Sequence, residues 1–149
     1  MATKSATSET GGFTAEERAA MKERAAELRA EGRKGAKQAD GLKAVLDRIA
    51  EMAPEDRALA ERVHVAVTTH ATDLVPKTWY GMPAYANADG KVVVFFQDAG
   101  KFDSRYATLG FQDTAQLDDG DMWPASFALR RWSPEVEKTV AGLVRTAVG

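Results

Sequence analysis

Eleven of the twelve aromatic residues in this 149-residue chain lie between Trp79 and Trp132, and only Phe13 lies outside. The same region marks a change of hydrophobic period. Before Val75-Pro76, apolar residues recur at every third or fourth position; after it, they alternate or run together. A chain that switches from the 3.6-residue period to the two-residue period folds helices first and strands afterwards.

The helical half carries its own punctuation. Leu42, Val45, Leu46, Ile49 and Met52 define one apolar face and predict a helix over residues 41–52. Pro54 stands where a first-turn proline loses no hydrogen bond, and Glu55 and Asp56 suit a helix N-terminus. Leu59, Val63, Ala66, Val67, Ala71 and Leu74 extend that second helix over 55–73. Further upstream, Thr14 and Glu17 have capping-box spacing, and 15–30 is rich in strong helix formers. Its apolar face (Met21, Ala25, Leu28) is thin, so this helix lies on the domain surface or meets a partner, a homodimer included. The chain therefore divides into a flexible tail at 1–12, an accessory helix and linker at 13–39, and a compact domain at 40–149.

In the second half, Asp89-Gly90 and Ala99-Gly100 are turn signals flanking the apolar run from Val92 to Phe96. Strands are expected at 78–86 with an interruption at Gly81-Met82-Pro83, at 91–97, at 102–110 and at 122–131, with 112–121 as a loop or short helical turn. Pro124 marks an edge or a strand start. Ser133-Pro134-Glu135 supplies an N-cap, a first-turn proline and a favourable acid, and Val136, Val140, Leu143, Val144 and Ala147 form the stripe of a closing helix. The fold class is α+β: an antiparallel sheet of four to five strands packed against two N-terminal-side helices and a C-terminal helix, with an extra N-terminal helix.

Composition narrows function by exclusion. With 20 basic and 22 acidic residues the net charge is -2, which argues against a non-specific nucleic-acid or anionic-membrane binder. The absence of cysteine removes disulfide scaffolds, thiolate zinc sites, iron–sulfur clusters and cysteine nucleophiles. No apolar stretch reaches membrane-spanning length and the start carries no signal-peptide core, so a cytoplasmic location is expected. Phosphate loops and the GxSxG elbow are missing too.

Three constellations remain. Glu61 and His64 have the Glu-x-x-His spacing of di-iron bundles, but only one copy exists, and the pair reads as a half-exposed surface pair. His70 shares the stripe of Val63 and Val67 and reads as a packed histidine bonded to its neighbours. Six aspartates and two cations lie between Asp98 and Asp121, and Asp118, Asp119 and Asp121 crowd around Gly120. Clustered carboxylates on a turn can hold a hard cation, or can simply form a solvated acidic loop. The strongest constellation is aromatic: Trp79, Tyr80, Met82, Pro83 and Tyr85 around a glycine-proline bend, with Trp123 in a second cluster. Such residues join apolar bodies to polar tips and suit either a partly wet pocket or the core.

TWYGMPAY, the strand VVVFF, SRYATLGF and DDGDMWPASFAL resemble the YdhG-like family, a domain of unknown function, over about residues 40–148. FTAEERAAMKERAAELRA looks like the N-terminal extension of its actinobacterial branch. The resemblance implies a small α+β domain. One branch is described as frataxin-like iron chaperones, so it also implies Fe(II) capture through carboxylates, by residue type Asp118, Asp119 and Asp121, with Asp98, Asp103 and Asp113 behind them. The leading expectation is a non-enzymatic binding protein, with iron as its cargo. The alternative is a small-molecule or peptide pocket built from Trp79, Tyr80, Tyr85 and Trp123. An enzyme ranks last, because no nucleophile–base pair is visible in the sequence.

Overall fold

The computed structural model describes residues 15–31 and 38–149; the 1–12 tail, Thr14 of the expected capping box and residues 32–37 lie outside the described residues. Four helices, α1 (Ala15–Glu31), α2 (Gln38–Ala50), α3 (Pro54–His70) and α4 (Pro134–Ala147), flank five strands. The strands are β1 (Val75–Trp79), β2 (Met82–Ala86), β3 (Val92–Gln97), β4 (Ala107–Phe111) and β5 (Ser126–Leu129). They form one antiparallel meander in the order β1-β2-β3-β4-β5. The α+β class read from the sequence is the class observed.

The expected punctuation is used. Pro54 opens α3, and Ser133 caps α4 by accepting a hydrogen bond from the Val136 amide at 3.1 Å, with Pro134 in the first turn. Pro76 sits in the edge strand β1, and Pro124 just precedes the other edge strand, β5.

Three strand boundaries differ from expectation. The segment 78–86 is not one interrupted strand but the end of β1 and all of β2, joined by the two-residue turn Tyr80-Gly81, across which Trp79 pairs with Met82. Both turn residues have positive φ, 54° and 75°, the handedness a two-residue hairpin needs. The strand expected at 102–110 begins only at Ala107, because residues 99–104 close a turn in which Asp103 also has positive φ. The strand expected at 122–131 shortens to Ser126–Leu129.

Strand alternation sorts side chains onto two faces. Cross-strand pairing places Tyr85, Val94 and Phe111 in one row and Phe96, Leu109 and Phe127 in the next. This face meets Val45 and Ile49 of α2, Val63 and Val67 of α3, and Val140 and Val144 of α4 in one core. Each such side chain, fully buried, contributes roughly 1.5–3 kcal/mol. Trp79, Met82, Ala84 and Phe95 lie on the opposite face. There the Phe95 ring lies across Gly110, whose missing side chain leaves room for it. Gly41 serves α2 in the same way: a Cβ there would collide with the Pro76 carbonyl oxygen, so glycine lets the helix lie against β1.

The accessory helix is packed against β1. Glu23 pairs with Lys101 directly over Gly81, and the Arg24 guanidinium lies 5.6 Å from the centre of the Tyr80 ring. Among the described residues, the buried residue of α1 is Ala20, whereas Met21 and Ala25 of the expected apolar face stay exposed, so the helix meets the domain through another side than its apolar spacing suggested.

Candidate functional site

The six residues expected to line an aromatic site part company in the fold. Tyr85 is 1% exposed, and Met82 and Pro83 are also buried. The half-buried Trp79 ring contacts Tyr80 edge-on at 5.1 Å and Phe95 at 5.3 Å, on the face away from Tyr85. Trp123, on the loop before β5, makes no ring contact with the others among the described residues. None of the six lines either cleft described below.

Tyr85 instead meets His64: the hydroxyl and Nδ1 are 2.8 Å apart, with ring centres separated by 5.7 Å. Burial pushes the Tyr85 phenol above its ordinary value of 10 and lowers the His64 imidazole from 6.5, so both stay neutral near pH 7. His64 is therefore a satisfied, half-buried group, not the surface partner of Glu61 that the spacing suggested; Glu61 is exposed. His70, partly buried, receives Arg145 Nη1 on its Nδ1 at 3.1 Å.

The aspartates divide as well. Asp98 is 3% exposed and takes Arg48 Nη2 on both oxygens, at 2.9 and 3.1 Å. The same guanidinium donates through Nε to the Gly81 carbonyl at 2.7 Å. Asp98 therefore belongs to a buried ion pair and not to the open acidic loop. Asp103, Asp113, Asp118, Asp119 and Asp121 are exposed. Among the described residues no three His, Asp or Glu side chains stand close enough together to hold a metal ion.

The cavities of the molecule lie on another side. One cleft of about 520 Å³ opens between the start of α3 and the ends of β4 and β5. Arg62, Arg105, Arg130 and Arg131 line it, together with Tyr106 and Trp132. The second, of about 610 Å³, runs between α3 and α4, and includes His70, Ser133, Lys138 and Arg145. Arg62 and Trp132 line both, so the two clefts adjoin as lobes on either side of these residues.

The fold explains the concentration of charge. The last rung between β4 and β5 is Ala107 with Leu129. Two residues beyond it, outside the strands, stand Arg105 before β4 and Arg131 after β5, and both line the cleft. Arg105 lies against the Tyr106 ring at 5.1 Å. The chain then passes through Trp132 to the Ser133 cap, which puts the positive end of α4 beside the groove.

Six cations thus face three acids, Glu55, Asp56 and Glu137, and two of the acids already have donors. Asp56 accepts from the amides of Ala99 and Gly100 at 3.1 and 2.9 Å, and Glu137 from Trp132 Nε1 at 3.3 Å. Arg62, Arg130, Arg131 and Lys138 enter no ion pair among the described residues. The chemistry of the groove is that of binding: positive charge, guanidinium forks suited to phosphate or carboxylate, and an indole for a planar group.

Comparison with family models, curated proteins and solved structures finds no match for this chain. The YdhG-like resemblance rests on the sequence motifs alone. No helix among the described residues is long and apolar enough to cross a membrane.

Proposed function

We propose that this protein is a non-enzymatic, YdhG-like binding domain whose ligand is an anionic small molecule held in the groove around Arg62 and Trp132. The observation that carries the reading is the gathering of cations that enter no ion pair among the described residues, Arg62, Arg130 and Arg131 foremost, in one cleft of a chain whose net charge is -2. Such charges raise the local concentration of anions, and each charge-assisted hydrogen bond to a phosphate is worth about 1.5–3 kcal/mol.

Calorimetric titration with phenyl phosphate, with Trp132 emission followed in parallel, tests the reading. Saturable binding that weakens with salt and is lost in Arg62→Ala/Arg131→Ala supports it. Binding that survives unchanged in that variant would sink it.

Iron handling, the role implied by the resemblance, is a separate proposal. Asp118, Asp119 and Asp121 are exposed and near in sequence, which suits loose capture, but nothing beyond their type and exposure supports it. An anaerobic Fe(II) titration of the chain and of the triple Asp→Asn variant tests it. Binding tighter than about millimolar that vanishes in the variant is the supporting result.

A further inference from the structure

Building on the anion-binding reading, we propose that the ligand is two-ended: an anionic group at each end of a planar or apolar body, spanning both lobes of the groove. The lobes adjoin at Arg62 and Trp132, which line both, and each has cations of its own. The first holds Arg105, Arg130 and Arg131 at the strand ends; the second holds Lys138 and Arg145 on α4.

Helix geometry sets the length of the second lobe. Arg62 and His70 bracket the second lobe along α3 and lie eight residues apart, roughly 12 Å at the rise of an α-helix. On α4, Lys138 and Arg145 lie seven residues apart, roughly 10 Å. A single phosphate or carboxylate fills one end and leaves the other cations unpaired. A molecule with an anion at each end of its body can meet the cations of both lobes.

The middle of the groove is suited to a flat body. Trp132 is shared by both lobes; its ring packs partly on the core, its indole N–H is turned to Glu137, and its remaining exposed surface offers a flat apolar contact. Arg145 does not lose its charge to its neighbour. Its partner is the His70 Nδ1, not a carboxylate, and Arg145 enters no ion pair among the described residues. The N-terminus of α4 at Ser133-Pro134 adds to the positive potential of the same lobe.

The test compares biphenyl bisphosphate, with a phosphate at each end, with biphenyl monophosphate and inorganic phosphate, by calorimetry on the full chain. The bisphosphate is expected to bind at least roughly tenfold more tightly than the monophosphate, as one further charge-assisted contact provides. Lys138→Ala/Arg145→Ala should abolish that advantage, so that the bisphosphate binds no more tightly than the monophosphate. Arg105→Ala/Arg131→Ala should weaken both probes. These side chains are exposed, and unchanged melting temperatures would confirm that the variants keep the fold. Equal affinity for the two organic probes, or an advantage that survives Lys138→Ala/Arg145→Ala, would overturn the two-ended ligand while leaving the anion site standing. If none of the three probes binds, the anion-binding reading falls, and this proposal falls with it.

Discussion

Two arginines show how differently this chain uses the same side chain. Arg48, 9% exposed, spends its guanidinium on Asp98 and the Gly81 carbonyl and so ties α2 to the hairpin turn and to the end of β3. Arg131, exposed at the rim of the groove, has no ion-pair partner among the described residues. A buried charge must be paired, because its desolvation is otherwise uncompensated; a solvated one can wait for a ligand. The buried end of the molecule is held by its charges, and the groove end keeps its charges available.

The largest effect that can break this contrast is at Asp98. Asp98→Ala strands the Arg48 guanidinium in the interior and should lower unfolding free energy by about 3–5 kcal/mol in urea titrations. Removing both charges together, as Arg48→Met/Asp98→Leu, should cost much less. If the single variant loses under about 1 kcal/mol, the pair is not structural.

Asp56 sharpens the contrast from the boundary, since it lines the groove yet is buried and accepts two backbone amides. Asp56→Ala is expected to cost about 1–3 kcal/mol by freeing those amides, and to strengthen phosphate binding by removing a nearby negative charge. A variant that is as stable as the parent would place Asp56 with the groove residues instead.

The neutral pair His64–Tyr85 is a smaller contribution of the same buried kind. The His64 pKa is lowered in the folded chain, so its contribution is fully present above pH 6.5 and is lost as pH falls through the lowered value, where the unfolded chain has already taken up the proton. Stability should therefore decline below pH 6.5, and His64→Gln should flatten that part of the profile. Tyr85→Phe removes the hydrogen bond alone and should cost about 1 kcal/mol.

Smallest in stability, and most decisive for function, is Arg131→Ala. Melting should shift by no more than the equivalent of about 0.5 kcal/mol, while affinity for phenyl phosphate falls. A large loss of stability there would erase the distinction between the two ends.

Much of the scaffold was legible in the sequence because it is written in local signals. Pro54 and Ser133-Pro134 mark helix starts, apolar stripes mark the buried faces of α3 and α4, and Asp89-Gly90 marks the β2–β3 connection; on α2 only Val45 and Ile49 of the helix's expected stripe are buried, while Leu42 and Leu46 stay exposed. The β1–β2 turn was misplaced because Tyr80 carries no signal for positive φ. A non-glycine residue there costs roughly 1–2 kcal/mol, and the compensating contacts come from elsewhere: the Arg48 bond to Gly81, and Arg24 over the Tyr80 ring. Composition also pointed attention towards the aromatics, yet β-strands use aromatics for packing, and Tyr85, Phe96 and Phe111 went to the core.

The candidate site was not legible at all. Its residues come from α3, the β4 and β5 ends and α4, and a run such as Arg130-Arg131-Trp132 looks like any solvated rim. The clue the sequence did carry was the pair of arginines flanking two strands, at Arg105 and Arg131, whose convergence depends on strand register.

By itself, then, the sequence determined the helices, the buried faces of α3 and α4, the order of helices and strands, and the absence of thiol chemistry, since these follow from periodicity, caps and composition over a few residues. Tertiary structure alone decided which charges are satisfied and which are left free. Arg48 meets Asp98 across 50 positions and His70 meets Arg145 across 75, and Coulomb energy depends on distance and burial, neither of which is a property of position along the chain.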